Sequence, residues 1–312
     1  MLSLETTRIM ADRGSQPMAI SAAAHGERTP MKLLIYSKAL YASWVYYSPD
    51  RILFDAGEGA STILGNKAFA IRRVFLSHGH ADHIAGLVGL VNIRNNALGD
   101  TEKELAIYYP KGNYLISEMI SFLGRTNRRL NYDLSWVPLE PGDRVELLSG
   151  QMPRFIEAFP TTHVHNEVSL GYNVVETRHR LKPELAGASQ EEIVERVRAD
   201  GKESVSEFYD QKLFSYGGDS VGIKPAYVAD TEILCHDTTF LDEKDRKEFK
   251  HATLAEALQC AQDARVKKEL ICFHISSRYR SKLREIEKAS GSYDGLDFKV
   301  TLVPPGRIFT IE

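Results

Sequence analysis

Within Ser77-His78-Gly79-His80-Ala81-Asp82-His83, three imidazoles and one carboxylate are crowded into six positions. Successive side chains of an extended loop alternate in direction, so His78 and His80 point the same way and can grip one metal ion. Asp82 and His83, at the entry of an expected helix, can face a second ion, and Gly79 and Ala81 leave room between the ligands. Imidazole and carboxylate suit zinc, with manganese or iron as alternatives, and a segment without cysteine speaks against a closed structural zinc site. A lone histidine on a polar turn is ordinarily a surface residue. A His-x-His-x-Asp-His array is instead a candidate metal centre with open positions, able to activate water for hydrolysis.

Neighbouring elements must hold this array in place. Val74-Phe75-Leu76 reads as a short buried strand before it, and residues 84–93 have the apolar spacing of a helix after it. Two ions need more ligands than one loop offers, and three further strand ends supply candidates. Thr162-His163-Val164-His165 follows an expected strand at 155–159, Gly217-Gly218-Asp219 follows Leu213-Phe214-Ser215-Tyr216, and His274 follows the apolar run 270–273. Strands are also expected at 32–36, 42–47, 51–54, 145–148, 169–175 and 233–235, and helices at 254–264 and 281–289. Ser189 with Glu192 three residues on is a capping-box start for a helix running towards Ala199. Residues 1–30 read as an extension or an irregular first strand, and 31–312 as one domain. Strands first and strand-helix units later imply sheets covered by helices.

A chain of 312 residues with 43% apolar and 26% charged residues can bury a full core, and its net charge of −3 creates no field that would hold a polyanion over the whole surface. The three cysteines, Cys235, Cys260 and Cys272, form no Cys-x-x-Cys pair, which fits a reducing compartment. No apolar run reaches the length of a membrane span and the opening segment lacks a signal peptide's apolar centre, so a soluble cytoplasmic protein without a membrane partner is expected.

From about Arg51 onward these positions resemble the metallo-β-lactamase superfamily, and within it the ribonuclease Z branch that trims the 3′ end of precursor transfer RNA. Phe54-Asp55-Ala56-Gly57-Glu58-Gly59 is similar to that branch's Phe-Asp-x-Gly-Glu-Gly turn, and Gly218-Asp219-Ser220 to its bridging-aspartate motif. Phe273-His274-Ile275-Ser276-Ser277-Arg278-Tyr279 is similar to its final-histidine motif. His165 stands six residues before Gly171-Tyr172, as the third-histidine motif does, which favours it over His163. His236-Asp237-Thr238-Thr239-Phe240 resembles a His-Glu-Ala-Thr-Phe motif with Asp for Glu, and His251-Ala252-Thr253 a His-Ser-Thr motif with Ala for Ser.

The resemblance implies an α/β (α+β) four-layer αββα sandwich. It implies one ion on His78, His80 and His165, a second on Asp82, His83 and His274, Asp219 bridging them, and a shared water as the source of hydroxide. It makes Asp82, His251 and Asp237 the catalytic side chains, His251 as proton donor and Asp237 as its orienting partner, with the shorter Asp237 expected to reach less far. Asp55 is then either a partner of a ligating histidine or an ordinary turn carboxylate. The implied activity is phosphodiester hydrolysis by two divalent ions, with a precursor transfer RNA as candidate substrate and a homodimer as one arrangement.

Two departures keep other readings open. Residues 176–213, where the branch carries a Gly/Pro-rich arm, are charged and partly helical, and Ser77-His78-Gly79-His80-Ala81 stands where Thr-His-Leu-His-Gly is usual. A hydrolase of a small phosphodiester, sulfate ester, lactone or thioester on the same fold is therefore an alternative, and a non-catalytic binding protein a third. Two basic clusters, Arg125 with Arg128 and Arg129, and Arg278 with Arg280, Lys282 and Arg284, are candidate phosphate contacts or simply solvated faces.

Overall fold

The computed structural model describes residues 31–96, 103–147, 152–283, 293 and 295–312. The reading of residues 1–30, and most of the helix expected at 281–289, lie outside the described residues.

The chain runs through β1 (Leu33–Lys38), β2 (Ala42–Tyr47), β3 (Ile52–Phe54), α1 (Ala60–Leu64), β4 (Arg73–Phe75), α2 (Ala81–Ile84), α3 (Gly86–Asn95), β5 (Leu105–Pro110), α4 (Tyr114–Thr126) and β6 (Leu134–Leu139). It continues with β7 (Arg144–Leu147), β8 (Arg154–Thr161), β9 (Ser169–Leu181), α5 (Gln190–Asp200), β10 (Ser206–Tyr216), β11 (Ile233–Asp237), α6 (Leu254–Asp263), β12 (Glu269–Phe273), β13 (Lys299–Leu302) and β14 (Ile308–Ile311). These form two seven-stranded sheets, ordered β14-β1-β2-β3-β4-β5-β6 and β13-β12-β11-β10-β9-β8-β7.

Both sheets are mixed in the same way. β1, β2 and β3 pair antiparallel, then β3 to β6 pair parallel. β7 to β10 pair antiparallel, then β10 to β13 pair parallel. Because β8 and β10 both oppose β9, the C-terminal ends of β8, β10, β11 and β12 share one edge, as those of β3 and β4 do in the first sheet. Carboxyl ends of parallel strands are where α/β sheets build sites.

One apolar layer fills the space between the sheets, including Phe54, Phe75, Tyr172, Phe214, Tyr216 and Phe273. A second lies between the first sheet and α1, α3 and α4, and a third between the second sheet and α6. The order is helix, sheet, sheet, helix, the four-layer arrangement expected. The inter-sheet layer is aromatic where it meets the site, with ring centroids 5.3 Å apart for Phe54 and Tyr216 and 5.4 Å for Tyr216 and Phe273, inside the favourable range for aromatic pairs.

The helix expected at 84–93 occurs as α2 and α3, which adjoin at Ala85. The interval 176–213 is mainly the hairpin of β9 and β10, with α5 between the strands. Ser189 and Glu192 form the expected capping box.

Candidate metal centre

Several of the site's side chains stand at or just beyond the end of a strand. Asp55 follows Phe54, His78 follows the end of β4 across Leu76 and Ser77, Asp219 follows Tyr216 across Gly217 and Gly218, Asp237 ends β11, and His274 follows Phe273. Asp55 and His274 adopt left-handed backbone conformations with φ of 55° and 59°. For non-glycine residues this costs on the order of 1–3 kcal/mol each and is typical of positions where a site dictates the backbone. Gly218, also left-handed at φ 59°, leaves no room for a Cβ, which would lie 2.5 Å from the Ser77 Cβ.

The side chains converge into overlapping groups. His78, His80 and His163 form one, and Asp82, His83, Asp219 and His274 another, the potential ligand atoms within each lying within 4.8 Å of one another. Asp219 Oδ2 lies 3.2 Å from His83 Nε2, 3.3 Å from His274 Nε2 and 4.0 Å from His78 Nε2. Donors about 2.0–2.2 Å from a tetrahedral zinc stand roughly 3.3–3.6 Å apart, close to the spacing in the second group.

His163, and not His165, joins His78 and His80. The expectation for His165 rested on its six-residue spacing from Gly171, but Val164 to Glu167 form a tight turn, closed by Glu167 N–H donating to Val164 O at 3.2 Å. His165 is exposed on this turn, followed by Asn166 at φ 71°. His163 precedes the turn, is buried, and places its Nε2 3.1 Å from His80 Nδ1.

The back side of each buried imidazole fixes its tautomer. Asp55 Oδ2 is an acceptor for His83 Nδ1 at 2.7 Å, and the Lys250 carbonyl for His163 Nδ1 at 2.7 Å. Ser77 Oγ donates its proton to Asp55 at 2.7 Å and so accepts from His78 Nδ1 at 2.9 Å. Thr239 Oγ1 donates to Asp237 at 2.8 Å and so accepts from His274 Nδ1 at 2.9 Å. A proton held on Nδ1 leaves Nε2 as the ligating nitrogen, the usual arrangement behind metal-bound histidines. His78 Nε2, His83 Nε2 and Asp219 Oδ1 are buried without a hydrogen-bond partner. Buried polar atoms in that state cost about 1–3 kcal/mol each, and a divalent cation would satisfy all three. The residues present therefore fit metal ions.

The field has the same sign. Burial opposes charge on His83, yet Asp219 and Asp55 on either side favour positive charge there and raise its pKa well above the ordinary histidine value, a demand that a cation on Nε2 would meet in place of a second proton. Burial likewise works against the Asp219 carboxylate, but His274 and His83 hold its pKa well below the usual range. Burial, then the neighbouring His83, push His78 well below its ordinary value, so it stays a neutral donor.

Asp55 is committed to the site. It accepts from Ser77 N–H at 2.6 Å, Ser77 Oγ at 2.7 Å and Tyr216 OH at 2.6 Å besides His83. Asp237, one carbon shorter than the Glu of the resembled motif, still reaches His251, with Oδ2 2.7 Å from His251 Nδ1. Burial lowers the pKa of His251, but Asp237 and then Asp219 outweigh it and raise it to about 9. Two participants lack a counterpart among the sequence expectations: Glu167, 3.2 Å from His80 Nε2, and Asn113, whose Nδ2 donates to Glu167 at 3.1 Å. Arg278 is exposed and lies 3.7 Å from Asp245, Arg284 lies outside the described residues, and His179 is exposed against Phe208.

Two stacked mixed sheets with helices outside and a His/Asp cluster at their strand ends define the metallo-β-lactamase class of fold, and the metallo-beta-lactamase superfamily profile matches residues 42–175. A ribonuclease Z from Methanosarcina acetivorans is 30% identical over 262 residues, spanning 77% of this chain and 82% of that protein. A ribonuclease Z from Archaeoglobus fulgidus is 31% identical over 262 residues, spanning 76% and 82%. The crystal structure of human tRNase Z, short form, superposes with a TM-score of 0.60 at 22% identity, covering 90% of this chain and all of that one. The chain belongs to the ribonuclease Z branch of the metallo-β-lactamase superfamily.

Proposed function

We propose that this protein is a di-metal phosphodiesterase of ribonuclease Z type, with His78, His80 and His163 holding one ion, Asp82, His83 and His274 the other, and Asp219 between them. The observation that carries the reading is the convergence of these seven side chains with His78 Nε2, His83 Nε2 and Asp219 Oδ1 buried and unpartnered. Two divalent ions at such a site supply Lewis acidity, lowering the pKa of water towards about 7 and neutralising charge on a phosphoryl oxygen. Zinc suits the all-nitrogen-and-oxygen donor set.

The chain's own residues handle the proton. His251 is partly buried, holds its Nδ1 against Asp237 and stays protonated, so its Nε2–H is available to a departing alkoxide. Asp237 cannot wander, because Thr239 N–H and Oγ1 both donate to its other oxygen at 2.8 Å. General acid catalysis of this kind contributes about 10²–10⁴-fold.

The substrate follows from the branch: the relatives are named ribonuclease Z, and cleavage at precursor transfer RNA 3′ ends is the reading they support. A small phosphodiester is the second reading, favoured by one observation. Residues 176–213 hold nine acidic against seven basic residues, a net charge of −2, so the hairpin of β9 and β10 offers no electrostatic grip on a polyanion. The test is turnover of zinc-loaded protein on a precursor transfer RNA and on a chromogenic phosphodiester, before and after chelation. Chelator-sensitive cleavage of both is expected; cleavage of neither overturns the reading, and cleavage of the small ester alone selects the second.

A further inference from the structure

His80 differs from its neighbours. Four imidazoles of the centre keep a proton on Nδ1 and turn Nε2 inward, whereas His80 turns Nδ1 inward, 3.1 Å from His163 Nε2. With the His163 proton committed to the Lys250 carbonyl, its Nε2 carries only a lone pair. His80 can therefore join it on an ion only if its own proton sits on Nε2. Facing that nitrogen at 3.2 Å is a carboxylate oxygen of Glu167, whose side chain is 11% exposed.

Glu167 is held there by its other oxygen, Oε1, which accepts from Gly79 N–H at 3.0 Å and from Asn113 Nδ2 at 3.1 Å. Asn113 is fixed in turn: its Nδ2 also donates to Val168 O at 3.0 Å, and its Oδ1 caps α4 by accepting from Ile116 N–H at 3.1 Å. Gly79 admits this clamp because it has no side chain; a Cβ there would lie 2.4 Å from Asn113 Oδ1 and 2.6 Å from the Leu115 Cβ. The turn at 164–167 carries Glu167 into place, in an interval where His163 stands eight residues before Gly171 instead of six.

We infer that Glu167 is a positioning residue that sets the His80 tautomer, keeping its proton on Nε2 so that Nδ1 ligates beside His78 and His163. The inference rests on the two-ion reading above. In Glu167→Gln the amide oxygen stays with Gly79 and Asn113, since both present only donors, and the NH2 group turns to His80 Nε2. That nitrogen must then accept, the proton moves to Nδ1, and one ion loses a ligand. Loss of such an orienting partner typically weakens metal binding by about 10–100-fold.

The experiment is zinc competition against a chelator on the full chain, paired with long-range ¹H–¹⁵N spectra of the histidine rings in the zinc-loaded protein. Wild type is expected to bind two zinc ions with His80, alone among the ligating imidazoles, protonated on Nε2. Glu167→Gln is expected to bind one of them about tenfold to a hundredfold more weakly, the other unchanged, with the His80 proton moved to Nδ1. Glu167→Asp, which keeps the charge but not the reach, is expected to weaken the same ion. Wild-type affinity at both positions together with an unchanged His80 ring in either variant overturns the role of Glu167 while leaving the two-ion reading intact. A wild-type chain that takes up no zinc overturns that reading as well.

Discussion

Asp55→Asn is the substitution that probes the site most selectively, because it keeps shape and removes one acceptor oxygen. Asp55 is fully buried, and its Oδ2 receives Ser77 Oγ, Tyr216 OH and His83 Nδ1 at 2.7, 2.6 and 2.7 Å. An Asn oxygen facing Ser77 N–H keeps that bond and presents NH2 to the other three. The two hydroxyls can rotate and accept; the imidazole can do so only by moving its proton to Nε2, the nitrogen turned towards Asp219. Bonds to a charged acceptor are worth about 1 kcal/mol more than neutral ones, so three of them put the loss of stability near 2–3 kcal/mol after relief of the buried charge. Zinc at the Asp82-His83-His274 position should weaken by about 10–100-fold on top of this. Urea unfolding of chelated protein reads the first quantity, and zinc competition with histidine ring spectra the second. A stable Asp55→Asn protein with both ions at wild-type affinity and His83 still protonated on Nδ1 would refute the tautomer argument, and with it the physical basis for the ligand assignments.

His163→Ala should lose one of two zinc ions on dialysis and His165→Ala neither, read by metal analysis; the opposite pattern would restore the spacing-based assignment. His251→Ala should keep both ions and slow cleavage by about 10²–10⁴-fold for poor leaving groups but much less for a nitrophenolate, which needs no proton; equal loss for both would exclude it as the acid. Glu176 supplies a pH test away from the metals. Burial would raise its pKa, but hydrogen bonds from Arg178 at 2.7 Å and Arg154 at 2.8 Å outweigh this and lower it below 4.5. A depressed folded-state value means that its stabilisation is complete above the unfolded value and drains away as pH falls through the folded one. Wild type should therefore lose urea stability more steeply than Glu176→Gln below pH 4.5, and parallel acid limbs would contradict this.

Strand ends were legible because short apolar runs stop abruptly at polar clusters: 74–76 before His78, 270–273 before His274, and Leu213-Phe214-Ser215-Tyr216 before Asp219. The capping box was legible because Ser189 and Glu192 stand three residues apart at the start of a helix. The placement of His163, and not His165, beside His78 and His80 was not, since spacing to Gly171 says nothing about a turn that reverses the chain and exposes His165. Glu167 and Asn113 were hidden further still, because their contacts join residues 54 and 88 positions apart and neither belongs to a His-rich string. β5, β6, β13 and β14 have no counterpart among the sequence expectations. The first three are held by parallel pairing with strands brought alongside by long connections, and β14 returns to pair with β1 at the start of the domain.

The way these strand ends are held explains how a cluster of like-charged groups survives without collapsing. Asp55, Asp82, Asp219 and Asp237 would repel one another in a soft loop region, and two of the site's backbones, at Asp55 and His274, are strained. Yet Phe54, Tyr216 and Phe273, each immediately before the site segment of its strand, are locked together between the sheets, and Tyr216 spends its hydroxyl on Asp55 itself. Separation of the charges would require pulling these rings apart, at a cost in apolar burial of about 1.5–3 kcal/mol per side chain. The carboxylates are thus kept at a spacing that protons relieve only in part, and the inward-facing lone pairs of His78, His80 and His163 add to the demand for cations. Rigidity behind the site and unmet charge within it are consequences of the same packing, which is why substitutions behind the imidazoles, at Asp55 or Glu167, should register in metal affinity before they register in fold.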